Sequence, residues 1–555
     1  MSQASFFFMR VLQKCNTSFF IFCENIPGLQ KQGGQKGIFA MTARCYSGAI
    51  NGVEASTVVI EVSSAKAPSS FTIVGLPDQA VKEAKDRVST ALKNSGFRTK
   101  NEFAVTVNLA PADVRKEGPI YDLPIAVSLL KATERLRTEE LDEYGLVGEL
   151  SLFGDVRRVR GIIPIVMEMR RIGRKAVLVP ADNVEEASVV TGIDVIPVRS
   201  LAEAVGYLIG VTEIEPRFTD LADLVAESAG CGDDFADVKG QSTVKTALEV
   251  AVAGGHNVLL VGSPGSGKTM LARRVPSILP PMSVEEALEV SKIHSVAGRE
   301  KGGGNFVVIR PFRAPHHTVS SIGLLGGGAH PIPGEVSLAH RGVLFLDEFP
   351  EFPRSALEVL RQPLEDGHVG VSRAAAACDY PSRFMLIAAM NPCPCGYYND
   401  MYRECRCTQA QILKYQNRIS GPLLDRIDIQ VGVHAVPIRD IERLSPGESS
   451  AVIRERVLAA RSIQRERYRA MPGVITNSEA KSRDLKDICM LSSAAMESLR
   501  DTMERLRFSA RAYDRVLRVA RTCADLAGRK AVELEDVMQA SAYRQLDGGR
   551  DSFFA

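Results

Sequence analysis

At 555 residues the chain should hold several domains, because one hydrophobic core rarely extends past about 250 to 300 residues. Hydrophobic residues at 45% and charged residues at 24% describe an ordinary soluble globular protein, and a formal charge of +2 excludes any global pull toward nucleic acid, leaving local patches only. Eleven cysteines, an odd number and mostly scattered, exclude a secreted disulfide framework and point to a reducing cytoplasm.

The first forty residues differ from the rest. "FFFMRVLQKCNTSFFIFC" is apolar but interrupted by Arg10, Gln13, Lys14 and Asn16, so no run is long enough to span a membrane. A signal peptide wants a charged start before an uninterrupted apolar stretch, and the order fails. Residues 1–41 are therefore expected to be an extension, disordered or upstream of a true start at Met41, with a targeting segment as the alternative. Residues 42–210 read as an α/β domain, with "SFTIVGLPDQAVKEAKDRVSTAL" as strand then helix. A linker is expected over 211–232, an α/β core over 233–436 and a helical region over 437–555.

The core carries the chemistry. "NVLLVGSPGSGKTMLARRV" gives a buried strand, the loop Gly262, Ser263, Pro264, Gly265, Ser266, Gly267, Lys268, Thr269, and a helix. Glycines let backbone N–H groups approach phosphate oxygens, Lys268 supplies charge to the β and γ phosphates, and Thr269 can ligate Mg²⁺. About eighty residues later "RGVLFLDEFPEF" ends a second apolar strand in Asp347 and Glu348. Strand carboxyl ends face the ligand in parallel sheets, so Asp347 is expected on Mg²⁺ and Glu348 on the attacking water. A third strand, "FMLIAAMN", ends at Asn391, placed to orient that water. "SGPLLDRIDIQV" offers Arg426, which could reach a neighbouring subunit's γ-phosphate. "SARAYDRVLRVARTCADLAG" is a helix with Ser509 as N-cap, Arg511 in its first turn and Gly528 past its end. A cation in a first turn costs about 0.3 to 1 kcal/mol, which invites a functional reason for Arg511. A solvated basic face stays open for Arg515 and Arg518.

These motifs resemble an AAA+ ATPase of the magnesium-chelatase and MCM-like branch. More narrowly, "FRAPHHT", "PGEVSLAHRGVLFLDEFPEF" and "NPCPCG" are similar to the ComM/YifB family of Mg-chelatase-like proteins, from about Thr42 to near the C-terminus. The resemblance implies ATP and Mg²⁺ as cofactors, a homo-oligomeric ring, commonly a hexamer, and ATP sites between subunits. Arg426 is then the finger acting in trans, Asn391 the sensor-one residue and Arg511 the sensor-two residue. It also implies action on DNA, as a helicase-like motor of branch migration during recombination or natural transformation. A second resemblance, of "GELSLFGDVRRVRGIIPIVMEMRRIGRKAVLVPADN" and "RKEGPIYDLPIAVSLL", is to Lon-type protease domains. The serine and lysine of that chemistry match Ile120 and Ile163, which cannot perform it, and Ser128, Lys116 and Arg160 do not match those positions. The domain reads as a non-catalytic adaptor, and a helical lid closes the chain.

Three segments remain open. "SVEEALEVSKIHSVAG" has Ser283 and Glu286 in capping-box spacing, followed by a glycine-rich insertion with His316, His317, His330 and His340. No spacing unites these histidines as a metal site, and a loop contacting substrate or a neighbouring subunit is the preferred reading. "EDGHVGVSRAAAACDYPSR" reads as a hairpin with Arg373 near its tip and Arg383 at its base, the candidate DNA contacts. Cys393, Cys395, Cys405 and Cys407 follow sensor one. Four thiolates can close a structural zinc site, although paired cysteines there are usually spaced by two or more residues; free thiols and a redox pair are the alternatives. Against the DNA motor stand a metal-insertion motor like magnesium chelatase and an ATP-driven protease or unfoldase, the latter opposed by Ile120 and Ile163.

Overall fold

The computed structural model describes residues 41–97, 103–138, 140–227, 233–298, 306–328, 331–373, 376–400, 402–435, 447–506 and 509–544. The expected extension therefore lies, Met41 apart, outside the described residues, as does His330. Among the described residues no helix is long and apolar enough to cross a membrane.

The chain is a mixed α/β protein built on two sheets, followed by helices. The first sheet has seven strands, β1 (Met41–Asn51), β2 (Glu54–Lys66), β3 (Ser70–Val74), β4 (Phe103–Ala110), β5 (Tyr144–Leu146), β6 (Ala176–Pro180) and β7 (Asp194–Val198), in the order β3-β4-β2-β1-β5-β6-β7. The β1–β2 and β2–β4 pairings are antiparallel and the others parallel. Helices α1 (Gln79–Asn94), α2 (Asp122–Ala132) and α3 (Ile162–Arg171) belong to this region. On α1 the residues Val81, Ala84, Val88, Ala91 and Leu92 recur at helical spacing and are buried, the stripe that sequence periodicity demands. Ile120 and Ile163 are both buried in this core. Ser128 donates to Cys45 Sγ at 3.0 Å, and Lys116 Nζ donates to the carbonyl of Pro111, so neither is a poised nucleophile or base.

The second sheet is fully parallel. Its strands are β8 (Val258–Val261), β9 (Phe312–Arg313), β10 (Val343–Leu346), β13 (Met385–Met390) and β14 (Ile429–Gly432), in the order β9-β10-β13-β8-β14. Between β10 and β13 stands an antiparallel hairpin of β11 (His368–Arg373) and β12 (Ala376–Pro381). Alternation across the pleat divides β8 between two cores. Val258 and Leu260 pack with α4 (Ser242–Gly254) and with residues of α7 (Ser450–Tyr468) and α9 (Ala510–Leu526). Leu259 and Val261 pack with Leu324, Val336 and Phe349 on the other face. Both faces are covered, which is why these strands read in sequence as unbroken apolar runs.

Two local expectations have direct counterparts. Ser283 and Glu286 form the capping box of α6 (Val284–Ala297), and the Ser509 hydroxyl accepts from the Ala512 N–H at the start of α9. The helices α8 (Ser493–Leu506), α9 and α10 (Leu534–Ala542) complete the C-terminal region. Asp428, buried before β14, ties that region to the sheet: it pairs with Arg515 of α9 and lies 3.5 Å from His256 Nδ1, and it accepts from the Asn257 N–H at 3.2 Å. Burial opposes its charge, yet Arg515 and His256 outweigh burial and hold the carboxyl well below the usual carboxylate range.

The first sheet's region docks on the insertion rather than hanging free. Lys292 on α6 pairs with Glu54 at 3.0 Å, the Gly161 N–H donates to the carbonyl of Ser295 at 3.0 Å, and Val53 packs on Ile293, Ala297 and Leu338. On the hairpin, Cys378 Sγ lies 3.7 Å from Asn51 Oδ1.

Candidate functional site

The phosphate loop runs from the end of β8 to α5 (Lys268–Arg274). A side chain at Gly262 would collide with the backbone carbonyl of Val433, so the loop can pass between the sheet's carboxyl ends only with glycine there. Lys268 is buried and its Nζ donates to the carbonyls of Gly262 at 2.7 Å and Ser263 at 3.0 Å, and to Asn391 Oδ1 at 3.2 Å. These three oxygens occupy the ammonium where phosphate oxygens can replace them. Thr269 Oγ1 donates to Asp347 Oδ2 at 2.6 Å, which brings together two oxygens able to share one Mg²⁺. Asp347 Oδ1 accepts from the Glu348 N–H at 2.9 Å, fixing the carboxylate. Asp347 and Asn391 thus reach the loop from neighbouring strands, as parallel topology requires.

Glu348 is different. Its backbone is left-handed, with φ of +51°, and its carboxylate is 3.2 Å from His317 Nδ1 rather than on any loop side chain. The three described histidines of the insertion do not converge: His316 Nδ1 is 3.0 Å from Thr318 Oγ1, His317 meets Glu348, and buried His340 meets Glu289 at 3.2 Å.

The two arginines lie elsewhere. Arg426 Nε donates to the Arg361 carbonyl at 3.2 Å and its Nη1 to the Pro422 carbonyl at 2.7 Å, while Nη2 pairs with Glu365. Asn257, which precedes β8, donates to the Arg426 carbonyl at 2.9 Å. Four strand residues, about 13 Å at ~3.3 Å each, therefore separate the Arg426 end of β8 from the phosphate loop at its other end. Arg511 is on the Arg426 side, 4.0 Å from Asp425 and with 70% of its side chain exposed. A cleft of about 1050 Å³ opens there, lined by Arg426, Arg511 and Arg515 among others, and not at the phosphate loop. Arg515 and Arg518 are not a solvated face: the first pairs with Asp428 and the second donates to the Ala480 carbonyl at 2.9 Å.

The cysteines do converge. Cys393, Cys395 and Cys405 have Sγ atoms 3.4 to 3.6 Å apart, and Cys407 completes a group whose ligand atoms all lie within 4.8 Å of one another. A tetrahedron with Zn–S of about 2.3 Å needs sulfurs about 3.8 Å apart, so this donor set fits zinc; all four cysteines are present as free thiols. Burial opposes ionisation of Cys395, but the backbone N–H groups of Tyr397 and Arg406 outweigh it and bring the thiol to about 6. In the hairpin, Arg373 pairs in register with Ala376 beside the turn. Arg383, past the hairpin's base, turns instead to the C-terminal region, donating to the Gly473 carbonyl at 3.3 Å and lying 3.8 Å from Glu479.

Comparison with known proteins decides the family. The family "Magnesium chelatase, subunit ChlI" matches residues 234–441, "Subunit ChlI of Mg-chelatase" matches 60–183, and "Magnesium chelatase, subunit ChlI C-terminal" matches 447–544. YifB of Escherichia coli, an uncharacterized protein, is 44% identical over 498 residues, 89% of this chain and 96% of its own. The competence protein ComM of Haemophilus influenzae is 41% identical over 503 residues, 90% of this chain and 97% of its own. The chain belongs to the ComM/YifB family of magnesium-chelatase-like proteins. Partial similarity extends to the DNA repair protein RadA of Bacillus subtilis, 29% identical over 158 residues, 28% of this chain and 33% of its own.

Membership in this magnesium-chelatase-like family implies an AAA+-type ATPase, and the loop, Lys268, Thr269 and Asp347 fit ATP and Mg²⁺. Two contacts escaped sequence reasoning. His317 reaches Glu348 because the two-residue strand β9, too short to read as a strand, pairs beside β10. The cysteine loop touches the phosphate loop itself: at Gly396, with φ of +88°, an added Cβ would be 2.5 Å from Pro264, and the Asp400 carboxyl, held low first by the Tyr402 N–H, is also held low by the Ser263 hydroxyl. No sequence spacing announces either contact.

Burial brings Lys268 down to about 8, with Asp347 opposing. Bound phosphates favour the ammonium and return it toward its usual value of about 10.4. Between about pH 8 and 10 the bound state then holds more protons than the free state, so ATP binding should take up protons and weaken as pH rises. Calorimetry in buffers of different ionisation enthalpy checks this, and binding heats independent of buffer across that window would contradict it.

Proposed function

We propose that the chain is an ATP-hydrolysing motor that assembles as a ring, with six subunits the expected number, and acts on branched DNA. The observation that carries the assembly reading is the placement of the phosphate loop and of Arg426 at opposite ends of β8. One chain cannot close its own site, whereas a ring brings each chain's arginines to its neighbour's nucleotide. In this reading Lys268 and the loop amides bind the phosphates, Thr269 and Asp347 hold Mg²⁺, Glu348 activates water and Asn391 orients it. Arg426 and Arg511 act from the adjacent subunit.

The DNA reading rests on the relatives' names, competence and DNA repair, and on the hairpin between β10 and β13, with Arg373 beside its turn. A metal-insertion motor and a protease or unfoldase are the alternatives; buried Ile120 and Ile163 give the latter no Ser–Lys pair. The test is the ATPase rate with and without forked or four-way DNA. The rate should rise with DNA, the rise should weaken with salt because phosphate contacts release counterions, and Arg373→Ala should reduce it. A rate indifferent to every DNA structure would contradict the DNA reading.

We also assign zinc to Cys393, Cys395, Cys405 and Cys407, in a purely structural role, since four protein ligands leave no open position. Metal binding supplies folding energy that this short loop lacks in a core of its own. Purified protein should carry about one zinc per chain, as four cysteines closing one site require. Replacing Cys405 and Cys407 by Ser should lower both zinc content and ATPase rate, because the loop packs on Pro264 and Ser263. Metal-free protein that hydrolyses ATP normally would contradict the assignment.

A further inference from the structure

Arg426 is fully engaged by its own chain. Its side chain is only 11% exposed, and its guanidinium donates from Nε to the Arg361 carbonyl at 3.2 Å and from Nη1 to the Pro422 carbonyl at 2.7 Å, while Nη2 pairs with the Glu365 carboxylate. Its backbone is fixed as well, because the Asn257 side chain donates to the Arg426 carbonyl at 2.9 Å and accepts from the Leu386 N–H of β13 at 2.8 Å. Only the side chain is left to swing, and of its three partners Glu365 alone is a side chain, 62% exposed. Arg361 and Glu365 belong to one short helix, Arg361–Asp366, which closes at Gly367 with φ of +72° and runs directly into β11. The hairpin's base is clasped to that helix end: the Ser382 N–H donates to the Gly367 carbonyl at 2.9 Å, and an added Cβ at Gly367 would be 2.9 Å from Arg383. Leu360 and Leu364 share a core with Val369 and Val371 of β11, so helix and hairpin are packed as one piece.

We propose that Glu365 is a positioning residue that tethers the Arg426 guanidinium to its own chain, and that a shift of the hairpin draws Glu365 away and frees the arginine for the neighbouring subunit's nucleotide. The chemistry is an exchange of anions: a carboxylate on the same chain gives way to γ-phosphate oxygens across the interface, and a guanidinium takes either through the same N–H groups. A nucleic-acid strand whose phosphates move the hairpin thereby sets the arginine of the chain that grips it. Hydrolysis then follows at the neighbouring site rather than at that chain's own. Glu365 touches neither ATP nor the attacking water, so its effect falls on turnover and not on nucleotide affinity. The inference rests on Arg426 acting in trans and on the hairpin meeting DNA.

The experiment is steady-state ATPase of the full chain at matched assembly, with and without forked DNA. Glu365→Gln keeps the side chain's size and removes its charge; without DNA it should raise kcat about fivefold, the scale of an ion pair with one exposed partner, with the KM for ATP unchanged. With saturating DNA its rate should equal the parent's, so the stimulation by DNA shrinks by the same factor. Glu365→Asp, which keeps the charge, should stay nearer the parent than Glu365→Gln does. Adding Arg426→Ala to Glu365→Gln should abolish the gain, because the gain passes through the arginine. A kcat for Glu365→Gln at or below the parent's without DNA overturns the tether, and a gain that leaves the stimulation ratio unchanged overturns its link to the hairpin. Arg426→Ala hydrolysing at the parent rate would instead remove the trans reading. A parent rate that no DNA alters would remove the DNA reading, with the comparison of Glu365→Gln and parent still deciding the tether.

Discussion

The polarity of one four-residue strand governs the site. β8 carries the phosphate loop at its carboxyl end, and through Asn257 it carries the Arg426 turn at its amino end. A parallel sheet makes this separation unavoidable, since every strand points its carboxyl end to the same edge. Asp347, Glu348 and Asn391 then gather at the nucleotide edge from β10 and β13, while Arg426 and Arg511 gather at the other. Asp428 sits at the amino end as well, and its ties to Arg515, His256 and Asn257 lock α9 to that edge. Breaking such a buried pair by removing one partner typically costs about 3 to 5 kcal/mol, so α9 and Arg511 keep their place relative to β8.

Around that frame two appendages touch the chemistry from different sides. The cysteine loop leans on the phosphate loop at Pro264 and Ser263, so zinc held by the four thiolates, as proposed, would stiffen the cradle without entering it. The glycine-rich insertion reaches Glu348 through β9 and His317. The first sheet's region, which lacks a Ser–Lys pair at Ile120 and Ile163, is packed on α6 and on the hairpin through Glu54, Gly161 and Asn51. Its contacts are with the parts that would meet substrate, which suits a domain that transmits or restrains movement instead of cutting peptide bonds.

Much of this was legible in the sequence because the relevant signals are local. Apolar runs ending in Gly262, Asp347 and Asn391 announce buried parallel strands and their carboxyl ends; Ser283 with Glu286, and Ser509, announce helix starts. The four cysteines are close in sequence as well as in space. What escaped was long-range or too short to register. β9 has two residues, so neither its place at the sheet edge nor the reach of His317 to Glu348 could be foreseen. No spacing united the histidines as a metal site, and His316, His317 and His340 do meet different partners, which no spacing named. Arg383 looked like part of the hairpin and turns to Glu479, and Arg515 and Arg518, for which a solvated face had stayed open, are spoken for. Side-chain pairing across elements obeys packing that periodicity does not encode.

The claim that each ATP site is assembled from two subunits is tested most directly by mixing defective chains. An arginine finger is worth about 10³ to 10⁵ in rate, so Arg426→Ala alone should be nearly inactive, as should Lys268→Ala, which loses the phosphate contact. In mixed assemblies some interfaces join an intact phosphate loop to an intact arginine, so the ATPase rate should recover to an intermediate maximum as the ratio varies. Inactivity at every mixing ratio, with mixed assembly verified, would contradict the account.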